Sequence, residues 1–286
     1  MYCISFDKSI SVATDGASVM TGVRSGVTTL YNQNNSYIIK TYCIEHRLAL
    51  AANSITYLKT YQGTINEIYK YHNYSCKHMA SLKAMGVIFD KAEKKFEEVF
   101  GTRWLSFEGA VGALLDYFDM LLSCLLQDKE GGSVVAGGLV KFIYTYEFLA
   151  VSHLMADVMG IVCRVCRVFQ REDLTFSVVK EVLDPACSAI LGMELSPGHR
   201  LESFLAQVPS SADDSGEFIF GGNVMRYSSS QSSHFEKLKV DFIDQLFANL
   251  QSRFPSQEVF HSLSIFDTQL IPSAESGLTF LWKGSG

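Results

Sequence analysis

The feature that most limits how this 286-residue chain can fold is a change in the period of its apolar residues near Phe107. Before that point they come in short runs, at residues 10–13 and 37–42, bounded by turn-forming residues. After it, Val111, Leu114, Leu115, Phe118, Leu121, Leu122 and Leu125 recur at three- and four-residue spacing. Short β-branched and aromatic runs build strands, and a period near 3.6 builds helices with one apolar stripe. The chain therefore reads as an α/β piece followed by a largely helical body.

The spacing predicts a strand over 9–14, a turn from Gly16 into a helix ending near Asn32, and a second strand over 37–42. Between them, Asn32-Gln33-Asn34-Asn35 is a turn signal. Helix follows over 45–57 and from 62 into the eighties. That strand-helix-strand-helix order argues for a parallel or mixed sheet. Beyond Phe107 the stripe through Leu125 is one helix, broken at 127–132. Helices return over 140–170 and 176–191, with Asp173 near the cap of the second, and Ser196-Pro197-Gly198 closes the block. The Ser/Asp/Gly-rich stretches 209–216 and 227–233 read as surface loops, and a last helix spans 234–252 before Phe254-Pro255.

Composition narrows the class further. With 48% hydrophobic and 19% charged residues the chain can bury a real core, and a formal net charge of −6 is not that of a protein coating nucleic acid. Any DNA contact has to come from a local patch. The seven cysteines are odd in number and mostly set in apolar helical context, which reads as reduced thiols inside the cell. The start lacks the pattern of a signal peptide, and the greasy stretch 149–168 carries His153, Asp157, Arg164 and Arg167, too many for a membrane span. No small-molecule site is expected: Gly16, Gly22 and Gly26 do not fit a nucleotide fingerprint, and Ser, His and Asp are too dispersed for a triad.

Two blocks near the N-terminus carry the most chemistry. Thr14-Asp15-Gly16-Ala17-Ser18-Val19-Met20-Thr21-Gly22 sets a carboxylate at a strand end, and Cys43-Ile44-Glu45-His46-Arg47-Leu48-Ala49-Leu50 sets a thiol and an imidazole three positions apart after the next strand. These blocks, with Ser25-Gly26-Val27, Thr102-Arg103-Trp104-Leu105-Ser106 and Phe169-Gln170-Arg171-Glu172-Asp173-Leu174, resemble in order the motifs of hAT-type transposases and their domesticated, zinc-finger-bearing nuclear relatives. The resemblance spans roughly residues 9 to 270. It implies an α/β, partial ribonuclease H-like core with a large all-helical insertion, mostly α overall. The implied divisions are 1–106 for the core, 107–252 for the insertion and 253–286 for a truncated C-terminal segment.

The resemblance also implies a reaction. The family uses three carboxylates to hold divalent metal, usually Mg²⁺, for two-metal phosphoryl transfer, in which the metals activate the nucleophile and stabilise the leaving oxygen. Asp15 matches the second carboxylate and is the candidate metal ligand. Cys43 and His46 match the C-x-x-H signature, and Trp104 in Arg-Trp matches the aromatic that manages flanking DNA. Asp7 sits on the same strand approach as Asp15, and Glu275 lies in a loop-like context, so neither completes the set. The expectation is a protein that does not cleave DNA as this chain, needs no cofactor as it stands, and works in the nucleus, with the cytoplasm as the alternative. It would act through DNA or protein contacts, with homo-oligomerisation through a C-terminal dimerisation segment. The rivals are an active DDE-type transposase whose gene model lacks its ends, and a helical interaction scaffold without a nucleic-acid role.

Each candidate has a bland reading beside the sharp one. Asp15 can be a helix N-cap. Cys43 and His46 supply two of the four ligands of a structural zinc, and Cys76 and His78 have no recognised zinc spacing, so packing under the α/β core is favoured. Cys163 and Cys166 read as core thiols. Trp104 can be a buried anchor with Arg103 paired to Glu97 or Glu98, or the pair can touch phosphate and base. Arg164, Arg167 and Arg171 form a one-sided basic stripe, usually a solvated face, and the best candidate here for phosphate contacts.

Overall fold

The computed structural model describes residues 9, 11–15, 17–43, 56–89, 98–99, 104–171, 176–209 and 215–253, and the protein is mostly helical. Two strands open it. β1 (Ser11–Thr14) and β2 (Ile39–Tyr42) pair in parallel, with Ser11 opposite Ile39 and Thr14 opposite Tyr42. Parallel strands cannot be joined by a tight turn, and here α1 (Ser18–Thr21) and α2 (Val27–Asn34) make the crossover. The corner between them depends on glycine: a Cβ on Gly26 would lie 2.4 Å from the backbone nitrogen of Gly22. Asn35 ends the crossover. Its side-chain amide donates to the Ser9 carbonyl at 2.8 Å, and its Oδ1 accepts from the Tyr37 N–H at 3.1 Å. The turn signal is thus real, although α2 runs two residues further than its spacing predicts. Ile38 is buried here, outside the continuous core of the helical body.

The helical body begins with α3 (Thr56–Asn73) and α4 (Cys76–Ile88), the latter capped by Ser75 Oγ accepting from the His78 N–H at 3.3 Å. Most of the helix predicted over 45–57 lies outside the described residues. The single stripe through Leu125 is in fact two helices, α5 (Trp104–Asp116) and α6 (Phe118–Glu130), set at 72°. No proline or glycine marks the break at Tyr117, so the apolar period runs through it. α6 continues to Glu130, and Gly132 at φ 89° turns the chain into α7 (Val134–Ile143). The predicted helix over 140–170 is also divided. Thr145 leaves helical geometry, and its hydroxyl accepts from the Phe148 N–H at 3.2 Å, starting α8 (Tyr146–Phe169). α9 (Phe176–Gly192) falls where it was expected.

α8 is the axis of the body. It passes the length and hydropathy tests for a membrane-crossing helix, yet α5, α7, α9, α10 and α11 pack along it and bury nearly every side of it. A helix apolar all round belongs inside a protein core or a membrane, and these neighbours account for its composition. α10 (His199–Leu205) is held by α8 directly: Asp157 accepts from the Arg200 and Leu201 N–H groups at 3.1 and 2.9 Å. Gly198 permits that approach, since a Cβ there would lie 2.4 Å from Asp157 Cγ.

The largest correction concerns the two stretches read as loop, 209–216 and 227–233, and the unassigned residues between them. β3 (Ser215–Phe220) and β4 (Asn223–Ser228) form an antiparallel hairpin, and α11 (Ser229–Arg253) starts five residues before the predicted 234. Gly221 and Gly222, at φ 55° and 76°, supply the two left-handed residues of a two-residue hairpin loop, a geometry whose twist matches that of the strands. Phe218, Met225 and Tyr227 are buried on one face, where Tyr146, Phe204, Phe218 and Tyr227 meet edge-on or tilted at 5.8–6.4 Å. Ile219 and Val224 face outward.

Candidate functional site

The parallel register places the two chemistry-bearing blocks together. Asp15 follows the last residue of β1 and Cys43 follows the last residue of β2, so both sit at the carboxyl edge of the same strand pair. The Cys43 N–H donates to the Thr14 carbonyl at 2.7 Å, extending the ladder one step and fixing the two residues as neighbours in the fold. Both are exposed. In open α/β sheets, ligands gather beyond the carboxyl ends of the strands, so this edge is the candidate site. His46 lies outside the described residues, as do Asp7, Arg103, Asp173 and Glu275.

The donor chemistry of that edge is thin. Asp15 Oδ1 accepts from the Ala17 N–H at 3.0 Å, two residues on, which closes an Asx turn at the start of α1. Its neighbour is a thiol, a soft donor, whereas Mg²⁺ demands a near-octahedral set of oxygens. Among the described residues no three of His, Cys, Asp and Glu are gathered to hold a metal ion. Among the described residues, one carboxylate beside one thiol does not supply the set of oxygens a Mg²⁺ ion takes.

The helical candidates are placed by packing. Trp104 opens α5 and is 5% exposed, inside the continuous core, so its ring faces apolar neighbours and presents no stacking surface. Arg164, Arg167 and Arg171 do share the exposed seam of α8 and its end. Arg167, however, donates to the Glu108 carboxylate on α5. The stripe therefore carries less free positive charge than its spacing suggests. Cys163 and Cys166 are core thiols, as read, and burial pushes the Cys163 thiol up, with the Glu108 charge adding to it.

A second concentration of titratable groups has no sequence signature. Where α3, α4 and α6 meet, the rings of Tyr71 and His78 stack at 4.0 Å with 9° between their planes. The Tyr71 hydroxyl donates to Asp128 Oδ2 at 2.8 Å, and His78 Nδ1 lies 2.8 Å from the Tyr71 carbonyl. A carbonyl only accepts, so that nitrogen carries the proton, leaving Nε2 to face Asp128 Oδ2 at 3.8 Å. His72 is wholly enclosed beside them. Burial, reinforced by the nearby His78, lowers its pKa to about 4, against the smaller opposing pull of Asp128. The members are dispersed over some 57 positions, so no local spacing could have found them. His78 is engaged here with Tyr71 and Asp128, which leaves the weak Cys76-x-His78 zinc idea without support.

No family model matches the chain, and no solved structure matches it. The class defined by the fold is a mostly helical protein with a small parallel βαβ unit at its start.

Proposed function

We propose that this chain derives from a hAT-type transposase, its β1–β2 unit being part of a ribonuclease H-like core and α5–α11 belonging to the helical insertion. In that reading it works in the nucleus by holding nucleic acid or a protein partner, and the described residues alone do not cut a strand. The supporting observation is the parallel pairing that sets Asp15 and Cys43 at one sheet edge, in the order in which the resembling motifs run.

The test is a fluorescence-anisotropy titration of duplex DNA at low salt, run beside a nicking assay with Mg²⁺ or Mn²⁺. Binding that weakens steeply with salt and is lost in Arg164→Glu/Arg171→Glu, with no nicking, supports the reading. Nicking that disappears in Asp15→Ala establishes the active transposase instead. A chain that neither binds nor cuts DNA leaves the scaffold reading. That reading has its own support in the way Trp104 and Arg167 are absorbed by packing and pairing.

A further inference from the structure

The junction of α3, α4 and α6 is built from groups whose charge states oppose one another. His72 occupies the last turn of α3, where the helix dipole ordinarily favours a cation. Here it is sealed from solvent, with the His78 ring 6.5 Å away. From α3 it meets Tyr71, from α4 His78, and from α6 Asp128, while Cys124 on α6 and Ser133 beyond it interact with Tyr71. Asp128 is the one carboxylate among these groups. Its Oδ2 already accepts from Tyr71 and faces His78 Nε2. A proton on His72 places a charge in a closed space beside the His78 ring. Desolvation and like charge then outweigh the dipole.

We propose that this junction is an acid-sensitive latch: protonation of His72 favours parting of the α3–α4 corner from α6, so acidification loosens that corner while the α8-centred body stays closed. The corner is suited to local opening. It is joined through Tyr74 and Ser75 between two helices, and its polar ties to α6 include Tyr71 to Asp128 and Ser81 to Cys124. The far end of α3 is pinned separately, the Tyr61 hydroxyl donating to Ser152 on α8 at 2.7 Å. Parting at one end does not require release at the other.

The size of the effect follows from linkage. A group titrating at 6.5 when open and at about 4 when closed favours opening about 30-fold at pH 5 relative to pH 7.5. Hydrogen exchange of the full chain, corrected for intrinsic rate, measures this peptide by peptide. Opening of α3 C-terminal and α4 peptides should rise about 30-fold over that interval, with α8 peptides unchanged. In His72→Gln, or in His72→Phe should the first fail to fold, the rise should fall below about threefold. An unaltered rise in a folded variant overturns the latch, as does wild-type loosening of α8 in step with α4. A proton NMR titration of the His72 ring in the wild-type chain needs no variant. A midpoint near the free-imidazole value overturns the proposal, and one well below it upholds the closed, neutral state on which the latch depends.

Discussion

The βαβ unit and the helical body use polar residues in opposite ways. At the strand ends of the unit, Asp15 and Cys43 stand exposed, and among its described residues Thr14, Gly26, Thr28 and Ile38 are the buried ones. In the body, polar residues are put to structural use. Asp157 caps a neighbouring helix, Arg167 pairs with Glu108, and Ser152 accepts from Tyr61 while donating to the Phe148 carbonyl at 2.7 Å. The contrast teaches where chemistry can reside. Side chains the core does not need are available for ligands, while side chains that hold helices together are not.

The most severe test of that contrast is Trp104→Ala. If the ring is a core residue, its removal leaves a cavity and costs about 3–5 kcal/mol, lowering the urea midpoint without abolishing cooperativity. A midpoint equal to wild type would mean that the ring makes no packing contribution, and the body would then share the character of the βαβ unit. Asp157→Ala is the next step down. It removes the acceptor of two α10 N–H groups and should cost about 1–2 kcal/mol, in the range of lost helix caps. Stability unchanged by that substitution would free Asp157 for a role other than capping. Tyr61→Phe should cost about 1 kcal/mol by removing a donor to buried Ser152. Restoration of stability on adding Ser152→Ala would assign the loss to that contact.

How much of this was readable from sequence depended on whether the signal was local. The runs at 10–13 and 37–42 gave both strands, because β-branched and aromatic residues bounded by turn formers have few other solutions, and the element order gave a parallel or mixed sheet, of which the pairing is the parallel case. α9 was legible for the same reason in the helical period. The break at Tyr117 was not, since a helix can bend without Gly or Pro while both halves keep one stripe toward a shared core. The β3–β4 hairpin was obscured by the Ser- and Gly-rich residues beside it, although Gly221-Gly222 between Phe218 and Val224 was a usable signal. Asp15 and Cys43 were named from sequence, but their adjacency needed the register. The His72 junction was invisible in principle, because it brings together three helices through residues with no common period.

The smallest expected effect bears most directly on the comparison. Asp15→Ala removes one side-chain acceptor at an exposed Asx turn, so its stability cost should be no more than about 0.5–1 kcal/mol. Screened by water on an exposed edge, the carboxylate has little to contribute to the fold beyond that turn. A loss several times larger would show that Asp15 is structural in the manner of Asp157, and the distinction between the two regions would fail. A near-silent effect on stability, joined to any change in DNA or metal response, would show the reverse: a residue kept at the sheet edge for what it touches outside the protein. The two measurements are made on one variant, and each is read against Asp157→Ala, where stability should move and ligand response should not.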